Sequence, residues 1–169
     1  MGLTSSYAAE KKEEAEPEQF KPTKLLSVKD TILVDMLNGA EHKQLCWCVT
    51  DPELPDNPIV FSSDGFCLLT GYGKEEIEGR NCRFLQGAQT TQSDVDKIRK
   101  AVKEKKDSCV CLLNYRKDGS TFRNQFFLAP LYNEHGVLCY FLGVQVEVAE
   151  GKGHEPENPG WVYTLGLHA

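Results

Sequence analysis

Three stretches of alternating residues, 108–117, 120–129 and 137–148, succeed one another with only tight turns between them, and nothing else in the sequence restricts the fold as sharply. Asp118-Gly119 joins the first two and is a strong hairpin turn signal, while the Glu134-His135-Gly136 turn precedes the third. Strands joined this closely must pair antiparallel, because a parallel pair needs a crossover of about a dozen residues or more. Two shorter strand runs come earlier, Leu45–Thr50 and Pro58–Ser62, and the loop Asp51–Asn57 between them makes a further hairpin. Residues 63–106 read instead as short helices stopped by glycines: Ser63–Thr70 before Gly71, Lys74–Ile77 before Gly79 and Asn81–Gln86 before Gly87. A longer helix from about Ser93 to Lys105 follows, with Val95, Ile98 and Val102 marking its buried side. The order predicts an α+β domain over 45–148, with one five-stranded antiparallel sheet and short helices on one face.

The flanks read differently. Residues 1–23 lack any hydrophobic period and include the run Glu10-Lys-Lys-Glu-Glu14, so a disordered arm is expected. From Lys24 to Asn38, Leu25, Val28, Ile32, Leu33 and Met36 fall at helical spacing before the stop Asn38-Gly39. An amphipathic flanking helix is therefore expected within 24–44, and its stripe must lie on something. The tail 149–169 carries Gly151, Gly153, Pro156, Pro159 and Gly160, which rules out a long continuing helix.

Alternation assigns side chains to faces. Val110, Leu112 and Asn114 share one face, as do Phe122, Asn124, Phe126 and Leu128, and as do Phe141, Gly143 and Gln145. Each set places one carboxamide among apolar neighbours. A buried amide without partners costs about 1–3 kcal/mol, so these three either bond to one another and to loop backbone or converge on a planar heterocycle with donors and acceptors on its edge. The opposite face, with Cys109, Cys111, Leu113, Phe127, Leu142, Val144 and Val146, is apolar as well and needs its own cover. The helix at 24–38, the tail around Trp161-Val-Tyr163, or a second copy of the chain would supply it.

A net charge of −6 gives no electrostatic footprint for nucleic-acid phosphates, so no nucleic acid is expected to bind through this chain. No stretch approaches the roughly 20 apolar residues of a membrane span, and no secretory leader opens the sequence. The seven cysteines form an odd count, which favours reduced thiols and a cytoplasmic location, or a nuclear one if the chain is a fragment of a larger receptor. Cys46/Cys48 and Cys109/Cys111 have C-x-C spacing on strands, and the histidines are scattered, so no metal site is expected. Met1-Gly2-Leu-Thr-Ser-Ser6 fits an acylation pattern, and a myristoyl group on Gly2 is the sole route to a membrane; without a polybasic run it would bind only marginally.

The run Gly79-Arg-Asn-Cys-Arg-Phe-Leu-Gln86 resembles the signature of light-oxygen-voltage (LOV) domains, the flavin-binding photosensor branch of the PAS superfamily. Three further stretches resemble the same family in the same order: Asp51-Pro-Glu-Leu-Pro-Asp-Asn-Pro-Ile-Val-Phe61, Leu112-Leu-Asn-Tyr-Arg-Lys-Asp-Gly119 and Tyr140-Phe-Leu-Gly-Val-Gln145. The similarity spans residues 46–148 and is of the aureochrome and phototropin type. It implies a PAS fold, an FMN cofactor and blue-light sensing, with Cys82 as the photoactive thiol that bonds to the flavin C4a carbon while N5 gains a proton. It further implies that Asn81 and Gln86 contact the flavin beside Cys82, with Thr50 and Asn57 approaching from the first strand and loop. Asn114 and Asn124 would hold the pyrimidine edge, Gln145 would sit by N5 and O4, and Arg83 and Arg99 would bind the phosphate, for which guanidinium forks are well shaped. The short segment from Gly87 to Ser93 favours FMN over FAD, since relatives that hold the dinucleotide are longer there.

Two departures from the family pattern stand out. Arg123 and Gln125 bracket Asn124 where relatives often carry Trp and Leu, and Cys48 stands where an aliphatic side chain is common, as a space-filling thiol. The resulting expectation is a sensor module and not a turnover enzyme. It signals through the sheet to the helix at 24–38, whose pairing with a second chain would give a light-dependent homodimer. The competing readings are a flavin-dependent redox protein using Cys82 as a redox thiol, and a PAS-type binding module with no chromophore. Arg80 beside Cys82 would lower a thiol pKa, but Phe84 and Leu85 next to it point to burial, against an exposed redox thiol.

Overall fold

Five strands form one antiparallel sheet in the order β2-β1-β5-β4-β3, so the first and last strands of the domain pair at its centre. The computed structural model describes residues 18–39 and 45–149. In chain order these hold α1 (Val28–Asn38), β1 (Cys46–Thr50), β2 (Ile59–Ser62), α2 (Asp64–Thr70), α3 (Lys74–Ile77), a 3-10 helix (Cys82–Leu85), α4 (Gln92–Glu104), β3 (Ser108–Tyr115), β4 (Thr121–Tyr132) and β5 (Leu138–Val148). The α+β architecture and the sheet expected from alternation are both present.

Local chemistry sets the boundaries. Gly119 takes the left-handed φ of +84° that the β3–β4 turn requires, and Asp118 Oδ1 accepts from both the backbone N–H and the hydroxyl of Ser120. The hairpin register that follows runs from Tyr115 opposite Thr121 to Ser108 opposite Leu128. Ser63 caps α2 by accepting the Phe66 N–H, and its hydroxyl also bonds to Leu45 and Trp47, which fastens α2 to the start of β1. Gly71, at φ +77°, ends α2.

The inner face carries Val110, Leu112, Phe126, Leu128 and Phe141 against Ala101, Ile98 and Val102 of α4. Beside them Cys46, Cys48 and Ile59 pack on Phe66, Ile77 and Leu85 of the short helices. The outer face carries Trp47, Val49, Cys109, Phe127, Leu142 and Val144, covered by Phe20, Leu33 and Val34. At about 1.5–3 kcal/mol for each fully buried side chain, those three residues are a substantial share of the stability of a domain this size.

Two expectations about this cover are corrected. The disordered arm does not extend to residue 23: Phe20 is buried against Phe61 and Tyr140, and Asn38 holds it by accepting its N–H and donating to its carbonyl. Residues 1–17 lie outside the described residues. The flanking helix begins at Val28 rather than Lys24, because Ser27 caps it and donates its own N–H to the Tyr132 carbonyl. Of the expected stripe only Leu33 is buried; Leu25, Val28, Ile32 and Met36 are 90%, 68%, 54% and 43% exposed. Ile32-Leu33-Val34 are consecutive apolar residues, so two helix faces satisfy the period, and the choice between them falls to Asp30. Its fully buried carboxylate accepts the Tyr132 N–H at 2.7 Å and draws the Asp30/Leu33/Val34 side onto the sheet. Residues 40–44, the tail from 150 onward and Gly2 are outside the described residues, and no helix among those described is long and apolar enough to cross a membrane.

Candidate functional site

Between the inner sheet face, the β1–β2 loop, the 3-10 helix and α4 lies a cavity of about 440 Å³. Its floor is apolar: Phe126, Leu128 and Phe141 from the sheet face Val95, Ile98 and Val102 from α4. Gly143 opens it. A Cβ at that position would stand 2.9 Å from the Phe126 ring and 3.2 Å from Gln145 Nε2, so any larger residue intrudes on the site.

The β1–β2 loop forms one wall. Asp56 and Asn57 have φ of +69° and +48°, a left-handed pair that Asp and Asn tolerate better than other non-glycine residues. Asn81 then ties this wall to the opposite one: its Nδ2 donates to the Asp56 carbonyl at 2.7 Å and the Asn57 carbonyl at 3.3 Å, while its Oδ1 caps the 3-10 helix at the Arg83 N–H. Asn81 thus lines the cavity with both ends of its amide occupied by the protein. Asn57 Oδ1 is buried without a hydrogen-bond partner.

Cys82 opens the 3-10 helix and lines the cavity. Burial pushes its thiol above the ordinary value, and the opposing pull of Arg83 is weaker. It is therefore a protonated thiol, unlike the exposed, low-pKa thiolate of a redox centre. Arg80, the neighbour expected to lower it, stacks instead on the Phe84 ring at 4.3 Å. At the mouth stand Arg83, Arg99 and Lys103. Arg83 pairs with Asp56 at 2.6 Å and Arg99 with Asp96 at 3.3 Å, and the Arg83 guanidinium holds the Asp56 carboxyl below the usual range. Both arginines are exposed, so their partners are exchangeable for a stronger anion.

Thr50, Asn57, Asn81, Cys82, Arg83, Gln86 and Arg99 are thus brought to one cavity. The other three expected residues are buried on the inner face without being part of its wall. Asn124 Nδ2 donates to Asn114 Oδ1 at 2.9 Å, and Asn114 Nδ2 to the Leu85 carbonyl at 3.1 Å, so these two amides do bond to each other and to loop backbone. Asn124 Oδ1 nevertheless has no hydrogen-bond partner. Gln145 lies between two thiols, those of Cys46 and Cys48. Sequence reasoning missed Lys103, whose signal was its i+4 spacing from Arg99 on a helix, and Asp56, which nothing local marks as a partner of Arg83. Among the described residues no cluster of His, Cys, Asp and Glu is placed to hold a metal.

An apolar slot with a thiol at one edge, the orphaned Asn57 amide oxygen in its wall and a cationic mouth fits a planar heterocycle carrying a polar, anionic tail, within the usual volume of ligand sites. The family model described as "PAS domain" matches residues 46–150. The chain is 50% identical to phototropin-2 of Oryza sativa subsp. japonica over 114 residues, 68% of this chain and 13% of that protein. It is 48% identical to a blue-light photoreceptor of Listeria monocytogenes over 109 residues, 64% of this chain and 43% of the relative. It is 45% identical to blue-light-activated histidine kinase 1 of Erythrobacter litoralis over 114 residues, 68% of this chain and 32% of that one. The chain therefore spans only a minor part of these relatives. Among solved structures, the light state of the blue-light photoreceptor Aureochrome1 LOV is 53% identical with a TM-score of 0.61, covering 62% of this chain and 82% of that one. A LOV domain studied with a flavin analogue is 50% identical with a TM-score of 0.66, covering 70% and 86%.

Proposed function

This chain belongs to the PAS domain family, in its LOV branch, and from that membership we propose that it is a blue-light sensor module that binds FMN in the cavity beside Cys82. The observation that carries the reading is the convergence of a protonated thiol and the orphaned Oδ1 of Asn57 on one apolar slot, with a second orphaned oxygen, Asn124 Oδ1, buried on the same sheet face. Bound FMN would supply a ring that absorbs blue light, takes the Cys82 sulfur reversibly at C4a and takes a proton at N5.

The chain's own residues do the rest. Phe126, Leu128, Phe141 and the α4 aliphatics exclude water from the ring. Asn124 and Asn114 give up part of their mutual bonding to meet the ring's polar edge, as the free Oδ1 of Asn124 permits. Arg83 and Arg99 exchange their carboxylate partners for the phosphate. Gln145, whose Nε2 lies beside Cys48 of the cavity wall, would be the residue to meet N5 and to reorient its amide when that atom turns from acceptor to donor. FMN is favoured over FAD because the connection from Gly87 to Ser93 is short.

Purified protein should be yellow and bleach reversibly under blue light, and Cys82→Ala should keep the colour and lose the bleaching. Colourless protein that takes up no FMN would overturn the reading. The redox alternative is disfavoured by the raised Cys82 thiol and would require bleaching that needs a chemical reductant rather than light.

For output we favour a light-dependent homodimer through the exposed stripe Leu25, Val28, Ile32 and Met36. Val28, Ile32 and Met36 recur every four residues along α1, with Leu25 just before it, so the stripe is able to meet the same stripe of a second copy in antiparallel contact. Lys24 supplies the link to the cavity: its Nζ bonds to Asp51 at 2.6 Å and to the Cys139 carbonyl at 3.1 Å, and Asp51 opens the loop that forms the cavity wall. Ile32→Glu should abolish any light-dependent change in molecular mass without unfolding the chain; an unchanged response would remove α1 from the output.

A further inference from the structure

Gln145 is a buried carboxamide held between two buried thiols that project from the same face of β1. Cys46 is its Cα partner in the β1–β5 register, and Cys48 faces Gly143. Cys46 Sγ donates to Gln145 Oε1 over 3.4 Å, and Gln145 Nε2 donates to Cys48 Sγ over 3.8 Å. Cys48 belongs to the cavity wall, so the nitrogen end of the amide is the one turned toward the cavity. Burial pushes both thiols up, which keeps both protons in place across the neutral range.

A protonated thiol is a weak donor and a weak acceptor at once. With the amide as it stands, Cys46 donates and Cys48 accepts. With the amide reversed, Cys46 accepts from Nε2 and Cys48 donates to Oε1. Both orientations are therefore satisfied, whereas an aliphatic residue at either position would leave one end of a buried amide unpaired in each of them.

We infer that Cys46 and Cys48 are positioning residues that make Gln145 a two-state element, exchanging donor and acceptor roles when its amide reverses. Cys48 then does more than fill space. The proposal rests on the FMN reading, in which N5 presents Gln145 with an acceptor in the dark and a donor in the light. It places the property that makes reversal easy in β1, whose Cys46 and Cys48 thiols touch the two ends of the Gln145 amide.

The test is infrared difference spectroscopy of the S–H stretch on the full chain loaded with FMN, dark and illuminated. Cys46→Ser and Cys48→Ser assign the bands. On illumination the Cys46 band should move up in frequency as that thiol stops donating, and the Cys48 band should move down as it starts. Both shifts should follow the time course of the lost Cys82 band. In the unloaded chain, Gln145→Leu should raise the Cys46 frequency in the dark.

Kinetics give the second arm. Cys46→Ala leaves one end of the amide unpaired in both orientations and should change the rate of dark recovery by about two- to fivefold, the worth of a weak hydrogen bond, while Cys46→Ser, which donates and accepts like a thiol, should restore the rate. A chain whose Cys82 band bleaches while the Cys46 and Cys48 bands stay fixed overturns this proposal alone. A chain with no Cys82 bleach overturns the FMN reading and this inference with it.

Discussion

Gly143→Ala adds one methyl group at the point where the inner sheet face must stay open. The new Cβ would stand 2.9 Å from Phe126 Cε2, 3.2 Å from Gln145 Nε2 and 3.4 Å from Cys48 Sγ. The Phe126 ring packs in the cluster with Val110, Leu112 and Phe141 on one side and lines the cavity on the other, so it can give way only into the space the flavin ring would take. Overpacking of this kind costs about 1–3 kcal/mol, and the reduced freedom of the unfolded chain on replacing glycine returns about 0.4–1 kcal/mol. A net loss of about 1–2 kcal/mol is expected, read by denaturant unfolding of the chain without flavin. The effect on FMN should be larger, since the methyl projects where the ring would lie and pushes the Gln145 amide. Fluorescence titration should show FMN binding at least about tenfold weaker, corresponding to about 1.4 kcal/mol or more. FMN binding within twofold of the parent would refute the placement of the ring against Gly143.

Three further outcomes are expected. Asp56→Asn frees Arg83 from its 2.6 Å ion pair while keeping a residue that tolerates φ of +69°, so FMN should bind more tightly and riboflavin, which lacks the phosphate, should not, as paired titrations will read. Asp30→Ala removes the buried acceptor of the Tyr132 N–H and should cost about 1–3 kcal/mol in denaturant unfolding, with the fluorescence of Trp47 reporting the loosened outer face. The Cys46 and Cys48 thiols are raised in the folded chain, so the folded state holds protons that the unfolded state releases above about pH 8.5; stability should be constant below that pH and fall above it by about 1.4 kcal/mol per pH unit for each thiol. Cys48→Ser should reduce that slope by one thiol's share in pH-dependent unfolding measurements.

The inner half of the molecule was legible because its information is local and periodic. Alternation alone put Asn114, Asn124 and Gln145 on one face, and the register bears this out: Asn114 pairs with Phe122, Leu112 with Asn124, and Phe126 with Gln145 across the three strands. The outer half was legible only in part: the apolar outer face and the helix within 24–38 as a candidate cover were read from the pattern, but not which side of that helix packs or what else joins it, because those contacts join residues far apart in sequence and depend on groups that carry no local signal. Phe20 looks like a lone aromatic in a polar arm until Asn38, Phe61 and Tyr140 surround it. Asp30 reads as one of the solvated positions of α1, and its burial depends on a single N–H that Tyr132 presents where the β4–β5 register shifts. That contact turns the helix so that Leu33 and Val34 cover the sheet while Val28, Ile32 and Met36 remain in solvent. One carboxylate thus decides which of two apolar faces is left to meet a partner. By the same logic, a substitution at Asp30 would act on association through the rotation of α1 as much as through the stability of the domain.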